Sequence, residues 1–142
     1  MTRSLACLAA FFFLACAAVN AAEKPAEAKA HEGEWTVQLK PSAGNKLKGT
    51  TQAYPDTITI KDGKFSTQVN TKYGFEPVAC KVKTEGGKTI VTVELSDEKH
   101  GKNEYELTFS GNAVEGTMKW GKAGEDGKPK TAEYTVSGNK KG

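Results

Sequence analysis

Few residues of this chain have the types and spacing that catalysis or metal binding requires. Asp97, Glu98 and His100 lie in one short polar run, so two carboxylates and an imidazole could meet there. A defined metal site takes three or four ligands at characteristic spacings, which this run does not provide. Glu104 and Glu106 lie two apart on an alternating segment, so both carboxylates are expected to point outward into water. We therefore expect neither a metal site nor an acid–base pair in these segments.

Cys80 is the one cysteine outside the apolar N-terminal segment. On a strand its side chain would share a face with Val78 and Val82, which predicts a buried structural thiol. A catalytic thiol needs a histidine partner, and the candidates, His31 and His100, lie in a polar arm and a polar loop. The sequence also lacks a phosphate-binding glycine loop, a nucleophile elbow and a zinc motif. We therefore expect a protein that is not an enzyme and that needs no cofactor.

Lysine supplies nearly all the positive charge of the chain. Twenty Lys and Arg residues against seventeen Asp and Glu give a formal net charge of +3, and Arg3 is the only arginine. Bidentate recognition of phosphate or guanine usually uses the planar guanidinium group, which lysine lacks. The lysines also alternate with acidic residues instead of forming a basic block. We therefore expect no nucleic-acid partner.

Binding through aromatic side chains is the function that the remaining residues favour. Ligand pockets are mostly apolar with a few polar groups, so one hypothesis is a small apolar ligand held in the mouth of a β-barrel. The candidate lining residues are aromatic side chains from several alternating segments, namely Trp35, Phe65, Tyr105, Phe109, Trp120 and Tyr134.

The alternative hypothesis is a module that binds another exported protein, such as an inhibitor of a protease or a lysozyme. It would act through loops 40–55 and 70–77, with Tyr73 and Phe75 as the candidate contact residues. Exposed aromatic side chains on loops favour partner contact, because aromatic residues are enriched at protein interfaces. Under either hypothesis we expect a monomer.

The first 21 residues have the organisation of a secretory signal peptide. A short positive start containing Arg3 precedes an apolar stretch that carries no charge before Glu23, and small residues suit cleavage after Ala21. We therefore expect an exported protein, periplasmic or secreted. The run 12–16 resembles a bacterial lipobox, which instead implies cleavage before Cys16, lipidation of its thiol and a membrane anchor.

Residues 22–32 are rich in Ala, Glu and Lys and lack aromatic side chains. Such a composition cannot bury a core, so it predicts a disordered linker. A chain of 142 residues allows one domain, which we place at residues 33–142. Because Cys7 and Cys16 lie in the predicted signal, no intramolecular disulfide is expected in this domain.

From Gly33 onward apolar and polar residues alternate in short runs broken by Gly, Asp, Asn and Pro, which is typical of half-buried strands. Two such runs, 57–61 and 64–69, flank Asp62-Gly63, a strong hairpin signal. We count eight strands of about five to seven residues and no helical periodicity outside the signal. Short connections favour antiparallel neighbours, so the sequence predicts an all-β, eight-stranded up-and-down meander closed into a small barrel.

Two positions depart from this regular pattern. The segment 40–55 is too long for a hairpin, and in a closed barrel it could fold over one mouth. Gly116 takes an inward position in the middle of a strand, where glycine usually marks a bend or the close approach of another group.

The motif Gly33-Glu34-Trp35, followed by a long first loop and a meander of strands, resembles the lipocalin/calycin superfamily, whose members begin with Gly-x-Trp. The resemblance implies a distant calycin-like barrel. Lipocalins also place an arginine near the last strand against this tryptophan, and this chain has none after Arg3. Three further stretches are similar to small exported bacterial proteins and imply no chemistry, namely 56–67, Gly74-Phe75 and 116–120.

The mass of the intact protein isolated from its own host tests the predicted N-terminus. Cleavage by the ordinary signal peptidase after Ala21 predicts an unmodified chain that begins at Ala22. A species that begins at Cys16 and carries acyl mass would replace the exported soluble form with a membrane-anchored lipoprotein.

Overall fold

The computed structural model describes residues 30–142. The predicted signal peptide, Cys16 included, and the linker up to residue 29 lie outside the described residues. The strands are β1 (Gly33–Pro41), β2 (Tyr54–Lys61), β3 (Lys64–Thr67), β4 (Val78–Ala79), β5 (Lys81–Glu85), β6 (Lys88–Asp97), β7 (Gly101–Ser110), β8 (Ala113–Ala123) and β9 (Pro129–Lys140), and the helix is α1 (Gln68–Lys72). Across residues 30–142, no helix has the length and apolar character needed to span a membrane.

All nine strands join one antiparallel sheet in which consecutive strands pair, except β4 and β5, and in which β1 pairs with β9. The predicted all-β up-and-down barrel is therefore confirmed. The hairpin at Asp62-Gly63 forms with φ of 52° and 74°, the left-handed geometry that a two-residue hairpin turn requires. The strands β6 to β9 have 10, 10, 11 and 12 residues, longer than predicted.

The structure has nine strands instead of the predicted eight because the fourth predicted strand breaks at Cys80. β4 pairs with β3, and β5 pairs with β6. This one segment of chain therefore supplies both edge strands of the sheet, and it nearly closes the barrel. At the break the backbone N of Cys80 donates to the carbonyl oxygen of Gly63 at 2.9 Å.

The break also changes the predicted common face of Val78, Cys80 and Val82. Val78 and Cys80 are partly buried against the core, whereas Val82 is 46% exposed. Burial, with a smaller contribution from Glu32, raises the pKa of the Cys80 thiol to about 11. The thiol is therefore protonated, and unreactive as a nucleophile, near neutral pH.

The short helix α1 departs from the sequence prediction, which extends a strand to Val69. The strand ends at Thr67 because its side chain caps the helix and accepts a hydrogen bond from the backbone N of Asn70 at 3.0 Å. The buried Asp56 carboxylate on β2 accepts from the backbone N of Val69 at 3.0 Å. A carboxylate distant in sequence thus satisfies the helix N-terminus, which local periodicity cannot reveal.

The barrel has two different ends. We call the end with the turns 62–63, 86–87 and 111–112 the closed end, and the end with the connections 42–53, 68–77, 98–100 and 124–128 the open end. Between them, alternate residues of the strands point inward and form one core. Burying each large apolar side chain stabilises the fold by about 1.5–3 kcal/mol, which favours the observed strand register over a one-residue slip.

Trp35 seals the closed end. Its side chain is fully buried, its Nε1 donates to the carbonyl oxygen of His31 at 2.9 Å, and its ring meets Phe109 edge to face at 4.7 Å between centroids. The Nζ of Lys140, on the last strand, lies 5.6 Å from the centroid of the tryptophan ring. In a chain whose only arginine is Arg3, a lysine therefore covers this tryptophan.

The last two residues of the predicted linker contact the closed end. His31 is buried, and the Glu32 carboxylate accepts from the backbone N of Gly63 at 3.1 Å. Within the described residues, His31 Nδ1 is buried without a hydrogen-bond partner. Burial lowers the pKa of His31 below its ordinary value of 6.5, and Lys140 acts in the same direction while Glu32 opposes it.

Gly116 and Gly138 allow neighbouring strands to approach unusually closely. A Cβ at Gly116 would collide with the carbonyl oxygen of Glu106 on β7, and one at Gly138 would collide with that of Thr36 on β1. Both obstacles are backbone atoms, which cannot rotate away. Of the two roles that the sequence left open for Gly116, a bend or the close approach of another group, the structure shows the close approach.

Replacing Gly116 with Ala is expected to lower the free energy of unfolding by about 1–3 kcal/mol, because β7 and β8 must separate to admit the methyl group. Urea denaturation measures this change. Gly44→Ala is the matched control, since nothing lies within 4 Å of the added Cβ. Equal stability of Gly116→Ala and wild type would contradict the close approach of these strands.

Lowering the pH should decrease the stability of the folded protein through His31, which is buried at the closed end. The unfolded chain protonates this histidine near pH 6.5, whereas the folded protein protonates it only at lower pH. As pH falls through 6.5 the unfolded state binds more protons, so the free energy of unfolding decreases and then levels off below the folded pKa. Urea denaturation between about pH 7.5 and pH 5 should show this loss.

The variant His31→Phe should lose less stability than wild type over the same pH range. The carbonyl oxygen of residue 31 remains available to Trp35 in this variant, because the hydrogen bond uses the backbone. Identical pH profiles for wild type and His31→Phe would show that His31 is not the group responsible.

Candidate functional site: a pocket at the open end of the barrel

A cavity of about 410 Å³ occupies the open end of the barrel. This volume lies within the range of small-molecule sites, roughly 300–1,000 Å³. Its apolar lining comes from β2, the segment after α1, β8 and β9, and it includes Tyr54, Phe75, Met118, Trp120, Ala132 and Tyr134. The core fills the closed end, so this cavity is the part of the interior that opens toward solvent.

Aromatic contacts fix one side of the pocket. Tyr54 and Tyr134 meet edge to face with ring centroids 5.5 Å apart. Trp120 is held by a hydrogen bond from its Nε1 to the carbonyl oxygen of His100 at 2.8 Å. Burial raises the pKa of Tyr54 and of Tyr134, so both phenols stay neutral near physiological pH.

The other side carries residues of the segment 68–77 and the β6–β7 turn. The His100 ring lies 5.2 Å from the Tyr73 ring and 6.1 Å from the Phe75 ring, centroid to centroid. Asp97 positions the turn, because its Oδ1 accepts from the backbone N of His100 at 2.8 Å and lies 3.0 Å from His100 Nδ1. These hydrogen bonds lower the pKa of the Asp97 carboxyl, with the backbone N–H of His100 as the largest cause.

Two buried amides give the pocket a polar inner surface. Asn103 Nδ2 donates to Asn70 Oδ1 at 2.9 Å, and Asn70 Nδ2 donates to the hydroxyl of Tyr105 at 3.1 Å. Both asparagines line the cavity, and Asn70 is only 4% and Asn103 only 5% exposed. The network ties α1 to β7 and leaves polar groups next to the apolar wall, which is the usual composition of a ligand site.

The long connection between β1 and β2 docks at the rim of the open end, instead of folding over the mouth as the sequence predicts. Asn45 is the anchor, since its side chain donates to the carbonyl oxygen of Glu133 at 2.8 Å and accepts from the backbone N of Glu133 at 2.9 Å. The following residues Lys48, Gly49 and Thr50 then line the pocket. The segment therefore forms part of the rim and does not cover the cavity.

The rim also carries positive charge. Lys48, Lys99 and Lys122 line the cavity and are exposed, and the Nζ of Lys122 donates to the carbonyl oxygen of Lys99 at 2.6 Å. No carboxylate and no thiol lines this cavity in the part of the chain that the structure describes. Over the same residues, no group of three His, Cys, Asp or Glu side chains could hold a metal ion.

The six aromatic residues predicted to bind a ligand fall into two groups. Trp120 and Tyr134 line the pocket. The other four are buried in the core and do not line it, namely Trp35, Phe65, Tyr105 and Phe109. Tyr105 still contacts the pocket indirectly through its hydrogen bond with Asn70.

The two residues predicted to contact a protein partner also reach the pocket. Tyr73 is 56% exposed, whereas Phe75 is 6% exposed and packs into the core. Both line the same cavity as Trp120 and Tyr134. The structure thus brings residues from both binding hypotheses together at one end of the barrel.

Several pocket residues lie outside those predictions. Asn103 could have been found, because it occupies the inward phase of the run that continues through Tyr105 and Leu107. Tyr54 continues the inward phase of Ile58 and Ile60 across the polar Asp56, but it lies at the end of the long loop, where no strand is predicted. Lys122 follows Met118 and Trp120 at the same period of two, beyond the end of the predicted strand, whereas Asn70 had no detectable signal because its position depends on α1.

Comparison of the chain with protein-family models, with curated proteins and with solved structures finds no match.

Proposed function

We propose that this protein is an exported, non-enzymatic carrier that holds a small apolar ligand at the open end of its barrel. The observation that carries the proposal is the 410 Å³ cavity into which apolar side chains of β2, β8, β9 and the segment after α1 converge. A barrel of this size can be filled by its own side chains or can hold one small ligand. Here the closed end is filled and the open end is not.

The composition of the cavity supports binding over catalysis. Neutral phenols, an indole and paired amides surround it, and these groups contact and orient a ligand without transferring protons near neutral pH. His100 is the one imidazole among the described lining residues, and its Nδ1 faces Asp97. The N-terminal signal predicted from the sequence supports export.

A second candidate function, binding of another exported protein, is favoured by Tyr73. This ring is more than half exposed on the segment 68–77, and it lines the same cavity as the rim residues 48–50. A protein seated there would contact both predicted loops and cover the cavity. Such binding would depend on Tyr73 and would not require the cavity to be empty.

The neutral fluorescent dye N-phenylnaphthylamine tests the carrier proposal. We expect wild-type protein to bind it at one site with a rise in dye fluorescence, because the dye would leave water for an apolar cavity. Ala132→Phe adds a ring to a buried lining position and should weaken binding by about tenfold or more, equivalent to about 1.4 kcal/mol.

Ala123→Phe is the matched control, since Ala123 lies near the end of β8, is exposed and does not line the cavity. Circular dichroism and urea denaturation should show that both variants are folded. Absence of dye binding by wild type, or equal binding by Ala132→Phe, would contradict the carrier function. Retention of a partner protein by Ala132→Phe and its loss in Tyr73→Ala would favour the second candidate.

A further inference from the structure

We propose that the ligand carries a single anionic group, a carboxylate or a sulfonate, which Lys48, Lys99 and Lys122 hold at the rim while its apolar body fills the cavity. The ligand would be a free molecule rather than a lipid in a membrane. This inference rests on the proposed carrier function and names the class of ligand.

The distribution of charge around the cavity carries the inference. Three lysines line it, and no carboxylate does so in residues 30–142. The grooves on the outer wall of the barrel mix the two signs. One of them combines Lys81 and Lys119 with Glu94, Glu104 and Glu106.

Lysines elsewhere on the barrel are often placed against acids. Lys102 lies 3.1 Å from Glu104, Lys119 lies 3.7 Å from Glu133, and Lys141 lies 3.2 Å from Glu34. Among the described residues, none of the three rim lysines forms such an ion pair. Lys122 also lines a neighbouring groove that holds Asp97 and Glu98, but it pairs with neither carboxylate, so the rim keeps three unpaired positive charges for a ligand.

The rim lysines come from three separate parts of the chain. Lys48 lies in the docked β1–β2 connection, Lys99 in the β6–β7 turn and Lys122 near the end of β8. The hydrogen bond from Lys122 Nζ to the carbonyl oxygen of Lys99 holds one ammonium group at the rim. An anion beside these groups would interact with all three, and the aromatic wall would exclude water from its apolar part.

A pair of dyes with the same apolar body tests the charge requirement. Anilinonaphthalene sulfonate has the ring system of N-phenylnaphthylamine with one added sulfonate. We expect wild-type protein to bind the sulfonate about tenfold more tightly than the neutral dye at low salt, since each exposed ion pair contributes about 0.2–1 kcal/mol. Added salt should weaken sulfonate binding and leave neutral-dye binding unchanged.

The triple variant Lys48→Gln, Lys99→Gln, Lys122→Gln should bind both dyes with the affinity of wild type for the neutral dye. The matched control is Lys61→Gln, Lys64→Gln, Lys88→Gln, which removes the same charge near the turns of the closed end and should retain the preference for the sulfonate. Ala132→Phe should weaken binding of both dyes, which would locate the sulfonate in the same cavity.

The possible failures are distinguishable. If wild type binds neither dye, the carrier function itself fails. If the neutral dye binds in the cavity but the sulfonate binds no more tightly, or if the rim and control variants behave alike, only the anionic class is overturned. Sedimentation with phosphatidylglycerol vesicles that requires the rim lysines, without preference for the free sulfonate, would overturn the proposal in favour of a membrane surface.

Discussion

The pairing of β1 with β9 is the interaction on which the rest of the structure depends. It brings the two ends of the described chain together and sets Trp35 opposite Lys140 and Pro41 opposite Tyr134. The register therefore determines which residues meet at each end of the barrel. Side chains alternate faces along a strand, so a slip of one residue would turn the apolar face of β9 toward water. Gly138 permits the close contact, because a larger residue would meet the backbone of β1.

The two ends of the barrel differ because of the sizes and polarities of a few side chains. At the closed end, Trp35 and Phe109 fill the interior and His31 packs over them. At the open end the inward positions of β7 and β9 carry Asn103 and Ala132. An amide that needs a hydrogen-bond partner and a short methyl side chain leave space where larger apolar residues would have closed it. The candidate ligand site at this end is the space that the inward side chains of the strands leave unfilled.

The sequence predicted the strands best where one face of the sheet packs on the core and the other face meets solvent. In β1, β6 and β7 most of the inward, alternate positions carry apolar residues, and this alternation gave the correct elements and the correct facing. The prediction was wrong around Cys80 and at α1. At Cys80 the chain changes partners from β3 to β6, and at Thr67 a cap supported by Asp56 ends the strand. Each change depends on a hydrogen bond to another part of the chain.

The sequence alone determined an all-β chain that folds as an antiparallel meander, and it identified most of the residues that face inward. These properties follow from the local period of two and from turn residues, which act over a few positions. Only the tertiary structure decided which aromatic residues form the core and which line a cavity. That depends on the stagger of the strands, which places each inward residue near the closed end or near the open end of the barrel. It also decided that lysines from three distant segments share one rim, since charge in sequence carries no information about proximity in space.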